Sequence, residues 1–140
     1  MFYEGATRLY RSSLSIEPVR PTHDLRIAIE VYPALLIRRY LGRTPYKSDT
    51  RAKQTAEKQA ARIELLRALQ AKAFYHDYQF HLGLTPEFRD QLIEDVAGDE
   101  LDAVLCAIEA AWSWNQRNEN LGIPKDVDTN EGWIVSQEFQ

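Results

Sequence analysis

The sequence predicts a single α/β domain over residues 1–140, rich in helix and poor in strand, with a few strands flanked by about four helices. Three observations carry this. Residues 25–32, LRIAIEVY, alternate Leu25, Ile27, Ile29 and Val31 with Arg26, Ala28, Glu30 and Tyr32, the period of two expected of a strand. Beyond them, stretches of strong helix formers recur between Gly and Pro stops. The chain is 44% hydrophobic and 27% charged, an ordinary balance for a folded globular protein, and 140 residues are enough for one core.

Each element has a local cause. Pro33 lacks an amide donor and suits a first helical turn, so ALLIRRYLG is expected as a short helix stopped near Gly42. RTPYKSD is a turn-rich connection in which Ser48 or Asp49 can cap the segment at residues 50–73, TRAKQTAEKQAARIELLRALQAKA, read as one long helix. At about 100° per residue, Lys47, Arg51, Lys58 and Arg62 would fall within roughly 60° of arc, beside a buried face of Ala52, Ala56, Ala60, Ile63 and Leu66. Residues 74–86, FYHDYQFHLGLTP, read as an aromatic connection. Thr85 caps the next helix, entered through Pro86 and running to about Val96. After the break at AGD, another helix starts near Asp99 and passes Trp112 and Trp114 before NENLGIP stops it. Residues 131–139, EGWIVSQEF, are a candidate last strand. The stretch before Leu25 can hold a short helix, a strand or neither.

Composition excludes several classes. No apolar run approaches the roughly 18 residues of a membrane span, and MFYEGATRLYR lacks the basic-then-apolar order of a signal peptide, so a cytoplasmic location is expected. The single cysteine, Cys106, excludes an internal disulfide framework and reads as packing. The net charge is −4, yet from Arg38 to Lys72 ten basic residues face three acids, a net of +7, leaving −11 elsewhere. Such a split suits either a phosphate-facing surface or a solvated basic helix.

The stretch GDELDAVLCAIEAAW, residues 98–112, is the main chemical signal. In Asp-x-x-Asp, Asp99 can cap the helix while Asp102 favours its dipole. The same spacing puts both carboxylates on one face, where they can converge on a hard cation such as Mg²⁺ or Mn²⁺. Ala103, Cys106, Ala107 and Ala110 leave a face of low bulk that lets the helix approach a strand closely. Glu30 stands near the C-terminal end of its strand, where α/β sites tend to form, and reads either as part of such a cluster or as a solvated or ion-paired acid.

Taken in order, IEVYPALLIRRYLG, a basic helical stretch, GDELDAVLCAIEAAW and EGWI resemble the motifs of the "domain of unknown function 429" family, predicted nucleases of ribonuclease-H-like fold. Glu30-Val31-Tyr32-Pro33 is similar to that family's strand motif, an acid, then an aromatic or His, then Pro. Asp99, Asp102 and Ala103 resemble its helix motif, and Glu131 to Ile134 its closing Glu-Gly-Trp-Ile. The resemblance implies that Glu30, Asp99 and Asp102 bind one or two divalent ions, Mg²⁺ or Mn²⁺, which activate water against a scissile phosphate. It further implies that Lys47, Arg51, Lys58 and Arg62 hold a nucleic-acid backbone without reading sequence.

The chain departs from that pattern at its start. Ribonuclease-H-like proteins begin with three antiparallel strands, the first carrying a metal-bridging Asp, and no strand with a central Asp precedes Leu25; Asp24 lies at the strand's entrance. A partial ribonuclease-H-like fold is therefore expected, its N-terminal strands missing or replaced. Its remaining acids would bind Mg²⁺ weakly. Its exposed strand faces and unpaired edge point to a homodimer or a partner chain. A non-catalytic module acting by protein–protein association is the competing reading.

Other signals are weak. His76 and His81 lack a recognised ligand spacing. Phe74, Tyr75, Tyr78 and Phe80 suit packing or, as an alternative, base stacking. No Ser-His-Asp set, phosphate-cradling glycine loop or dinucleotide fingerprint is present.

Overall fold

The computed structural model describes residues 2–139, and the side chains of all of them except Phe2, Tyr3, Arg51 and Phe139. The segment before Leu25 holds both a helix and a strand. Helix α1 (Phe2–Arg11) ends where the Arg20 guanidinium reaches back, donating to the carbonyls of Tyr10 at 2.7 Å, Leu9 at 2.9 Å and Ser12 at 3.1 Å. A helix end leaves just such carbonyls unpaired. Strand β1 (Ser15–Glu17) pairs in parallel with β2 (Ile27–Ile29), matching Ser15 with Ile27, Ile16 with Ala28 and Glu17 with Ile29. β2 is shorter than the alternation suggests: its partner ends at Pro18, opposite the C-terminal end of β2, and at the other end Leu25 lies beyond the pairing and is 93% exposed.

The other edge of β2 meets the C-terminal tail, where the Val135 amide donates to the Glu30 carbonyl at 2.8 Å. The expected strand over 131–139 is thus reduced to one bridge between Glu30 and Ile134. Beyond it Ser136 and the Gln137 amide turn inward to the Glu109 carboxylate, and Gln137–Phe139 form a 3₁₀ turn.

Helix α2 (Pro33–Leu41) starts on Pro33 and stops at Gly42, whose φ of 64° suits glycine. The long helix expected over 50–73 is divided. Arg51–Lys53 form a 3₁₀ turn, Thr55 is extended, and α3 runs from Ala56 to Leu69. The Ser48 hydroxyl accepts from the Thr50 amide at 3.2 Å, an alternative to the helical ladder that explains the late start. The stretch expected as a connection contains α4 (Lys72–Tyr78), which buries Phe74 and Tyr78, four residues apart, with rings stacked at 4.8 Å. Helix α5 (Pro86–Glu94) begins on the predicted cap, the Thr85 hydroxyl accepting from the Phe88 amide at 3.2 Å. Helix α6 (Asp99–Asn115) passes through the core.

Six α-helices rather than about four therefore accompany a two-stranded parallel sheet among the described residues, an α/β arrangement weighted to helix. The core joins Leu36 of α2, Leu65 and Leu69 of α3, Leu92 of α5, and Leu101 and Leu105 of α6, all fully buried. Gly122 closes it with φ 77°, and a Cβ there would lie 2.6 Å from the Trp112 ring. None of the described helices is long and apolar enough to cross a membrane.

Candidate functional site

The start of α6 is where the predicted chemistry gathers. Gly98, with φ 74°, is the residue before the helix, and Asp99 is its first helical residue, so Asp99 does not cap. The capping bond comes from upstream: the Asp95 carboxylate accepts from the Glu100 amide at 2.8 Å. Asp95 already ends α5, so one carboxylate joins two helices, which displaced the cap expected at Asp99.

Asp102 faces the connection after α2. Its Oδ1 accepts from the Tyr46 hydroxyl and its Oδ2 lies 2.6 Å from Lys47 Nζ. Both groups are held from behind. Arg62 Nη1 donates to the Tyr46 carbonyl at 2.7 Å, Arg62 Nε to the Ile93 carbonyl at 2.7 Å, and the Ser48 amide to the Val96 carbonyl at 3.1 Å. Burial and the Asp102 carboxylate push the Tyr46 phenol well above its ordinary pKa, with Asp99 adding to the effect. Partial burial works against the Lys47 ammonium, but Asp102, helped by Asp99 and Asp49, more than offsets this and raises its pKa.

The four expected phosphate-binding residues do not form one helical face. Lys47 lies in the connection and is ion-paired. Arg51 opens the 3₁₀ turn, and its side chain is outside the described set. Lys58 donates back to the Lys53 carbonyl. Arg62 is 3% exposed, so its place in a backbone-binding surface is corrected: it is a buried fork on two carbonyls. The predicted arc required one helix from residue 50, and the helix starts at Ala56.

Glu30 is exposed at the end of β2, in a notch of about 370 Å³ shared with Glu131, Gly132, Trp133 and Ile134. Two of the motifs noted in the sequence therefore meet in space. Glu30, Asp99 and Asp102 do not come together as a donor set: among the described residues, no group of three or more His, Cys, Asp or Glu side chains is placed to hold a metal ion. Sequence reasoning missed Tyr46 and Asp95. Asp95 stands four residues before Asp99 in an acid-rich break and was legible as a cap; Tyr46, in a turn, had no local signal.

A family model described as "Protein of unknown function (DUF429)" matches residues 15–129. The chain belongs to this family. The matched span begins with β1, takes in Glu30 to Pro33 and Asp99 to Ala103, and ends before Glu131. No curated protein and no solved structure matches the chain. The divalent ion that the family resemblance implies does not fit this member's residues as they stand. Both oxygens of Asp102 face proton donors, one of them a cation, and no third acid joins Asp99 there.

Proposed function

We propose that this family member is a cytoplasmic remnant of a metal-dependent nuclease, built on part of a ribonuclease-H-like fold, that works by protein–protein association. One observation carries this: an apolar groove of about 500 Å³ lies open between α1 and the sheet, with Leu9, Ile16, Ile29 and Val31 in its walls. Parallel strands are ordinarily covered on both faces, and a two-stranded sheet is marginal alone. Here α1 is exposed from Glu4 to Arg11, and Val19, Leu25 and Ile27 are further exposed apolar side chains of this N-terminal region. A second copy of the chain is the fitting occupant, because the surface to be covered and an underused helix able to cover it belong to one chain, the self-complementarity of an isologous dimer. Light scattering at tens of micromolar is expected to give a dimer that Leu9→Glu dissociates. A monodisperse wild-type monomer overturns the reading.

The exposed Glu30 carboxylate, in its notch beside Glu131, favours a second reading. In it the protein cuts nucleic-acid phosphodiesters with Mg²⁺ or Mn²⁺ at a site that a partner chain must complete, since Glu30, Asp99 and Asp102 do not come together within one chain. That reading requires Mn²⁺ to raise the wild-type melting temperature, and to do so less in Asp102→Ala. Association alone requires no metal dependence.

A further inference from the structure

At the start of α6 a cation already stands on the acid. Lys47 Nζ is 2.6 Å from Asp102 Oδ2, and Tyr46 closes the other oxygen. The lysine reaches this position because Gly98 has no side chain: a Cβ on Gly98 would come within 2.8 Å of Lys47 Cδ and 2.9 Å of its Cβ. The stem thus crosses the helix entrance in a cradle that any other residue would fill. The connection is fixed on both sides of Lys47, at the Tyr46 carbonyl by Arg62 and at the Ser48 amide by Val96. This is a fitted seat, unlike an exposed ion pair whose partners wander.

We propose that Lys47 is the resident counter-cation of the α6 acids, its ammonium standing in place of a divalent ion and making Asp102 a structural residue. The inference rests on the reading that this chain holds no metal of its own at α6. Two positive groups cannot share Asp102 Oδ2 cheaply, so a divalent ion is kept out while the ammonium is present. With the ammonium removed, Asp102 and the neighbouring Asp99 are left uncompensated, and a hard cation becomes their best partner.

The test is thermal melting of the full chain by circular dichroism, with MnCl₂ or KCl at matched ionic strength, which separates binding from screening. Four proteins are compared: wild type, Lys47→Met, Lys47→Gln, and Lys47→Met combined with Asp102→Asn. Wild type is expected to melt at the same temperature in both salts. Each Lys47 variant should gain a few degrees in MnCl₂, and the double variant should lose that gain. No gain in either single variant, with wild type indifferent, overturns the inference and leaves the association reading intact. A Mn²⁺ gain in wild type overturns both. Should the variants not fold, wild-type amide resonances decide: those of Asp99 to Asp102 are expected to stay sharp under Mn²⁺, and selective paramagnetic broadening there overturns the inference.

Discussion

Arg62 on α3 donates 2.7 Å hydrogen bonds to the carbonyls of Tyr46 and Ile93 and is 3% exposed. One buried guanidinium thereby ties the end of α5 to the connection that carries Tyr46 and Lys47. Replacing it with Met keeps most of the volume but leaves two inward-facing carbonyls without donors. Arg62→Met is expected to lower unfolding free energy by about 2–4 kcal/mol in urea titration. An unchanged midpoint would mean that water reaches these carbonyls.

Glu109 is 1% exposed and accepts from Tyr78 Oη at 3.1 Å, Ser136 Oγ at 3.2 Å and the Gln137 amide at 3.4 Å. Burial raises its pKa above the ordinary 4.5, although these donors oppose the shift. A raised folded-state pKa means that the folded protein binds more protons than the unfolded chain. The stability linked to Glu109 is therefore fully present below about pH 4.5 and declines as pH rises through the folded pKa. Stability measured from pH 5 upward should show this decline in wild type and lose it in Glu109→Gln; parallel curves would remove Glu109 as its source.

Two glycines face obstacles of different kinds. A Cβ at Gly122 meets the Trp112 ring at 2.6 Å, whereas a Cβ at Gly98 meets Lys47 at its Cδ, 2.8 Å, which can move aside, and at its Cβ, 2.9 Å, which cannot without a shift of the connection. Both have positive φ. Gly98→Ala is expected to cost about 1–2 kcal/mol, mostly backbone strain, and Gly122→Ala about 3 kcal/mol or more because Trp112 is 4% exposed and packed. Equal shifts in melting temperature would contradict the Trp112 contact.

Asp102→Asn keeps the shape of the side chain and removes its charge. Tyr46 and Lys47 then face an amide in place of a carboxylate, at an expected cost of about 1–2 kcal/mol. Lys47→Met should cost less, since its side chain is 35% exposed and the Asp102 carboxylate it leaves behind keeps the Tyr46 hydroxyl as donor. Urea midpoints that rank the two in the opposite order would place the weight of the contact on the lysine.

What the sequence disclosed was local. Pro33 and Gly42 bound α2, and Thr85 with Pro86 start α5, because each acts through its own backbone. Helix α4 was hidden because Tyr75, His76 and Phe80 blur the four-residue spacing of Phe74 and Tyr78. The basic arc failed at Thr55, where a β-branched residue in extended conformation ends the continuity assumed upstream. Asp102 was singled out for charge and spacing, yet its partners stand 55 and 56 positions away, and no local pattern announces such a pairing.

The bridge between Glu30 and Ile134 also bears on the order in which the protein is made. Arg39 is joined to Glu138, 99 positions later, at 2.6 Å, and Glu109 waits for Ser136 and Gln137. During synthesis the N-terminal strands emerge long before the segment that closes their edge, and contacts of such separation form slowly. On the ribosome, β2 therefore keeps an open edge until Ile134 and its neighbours arrive, and a transcript cut short before Glu131 would leave a nascent chain with that edge as a site for chaperone capture.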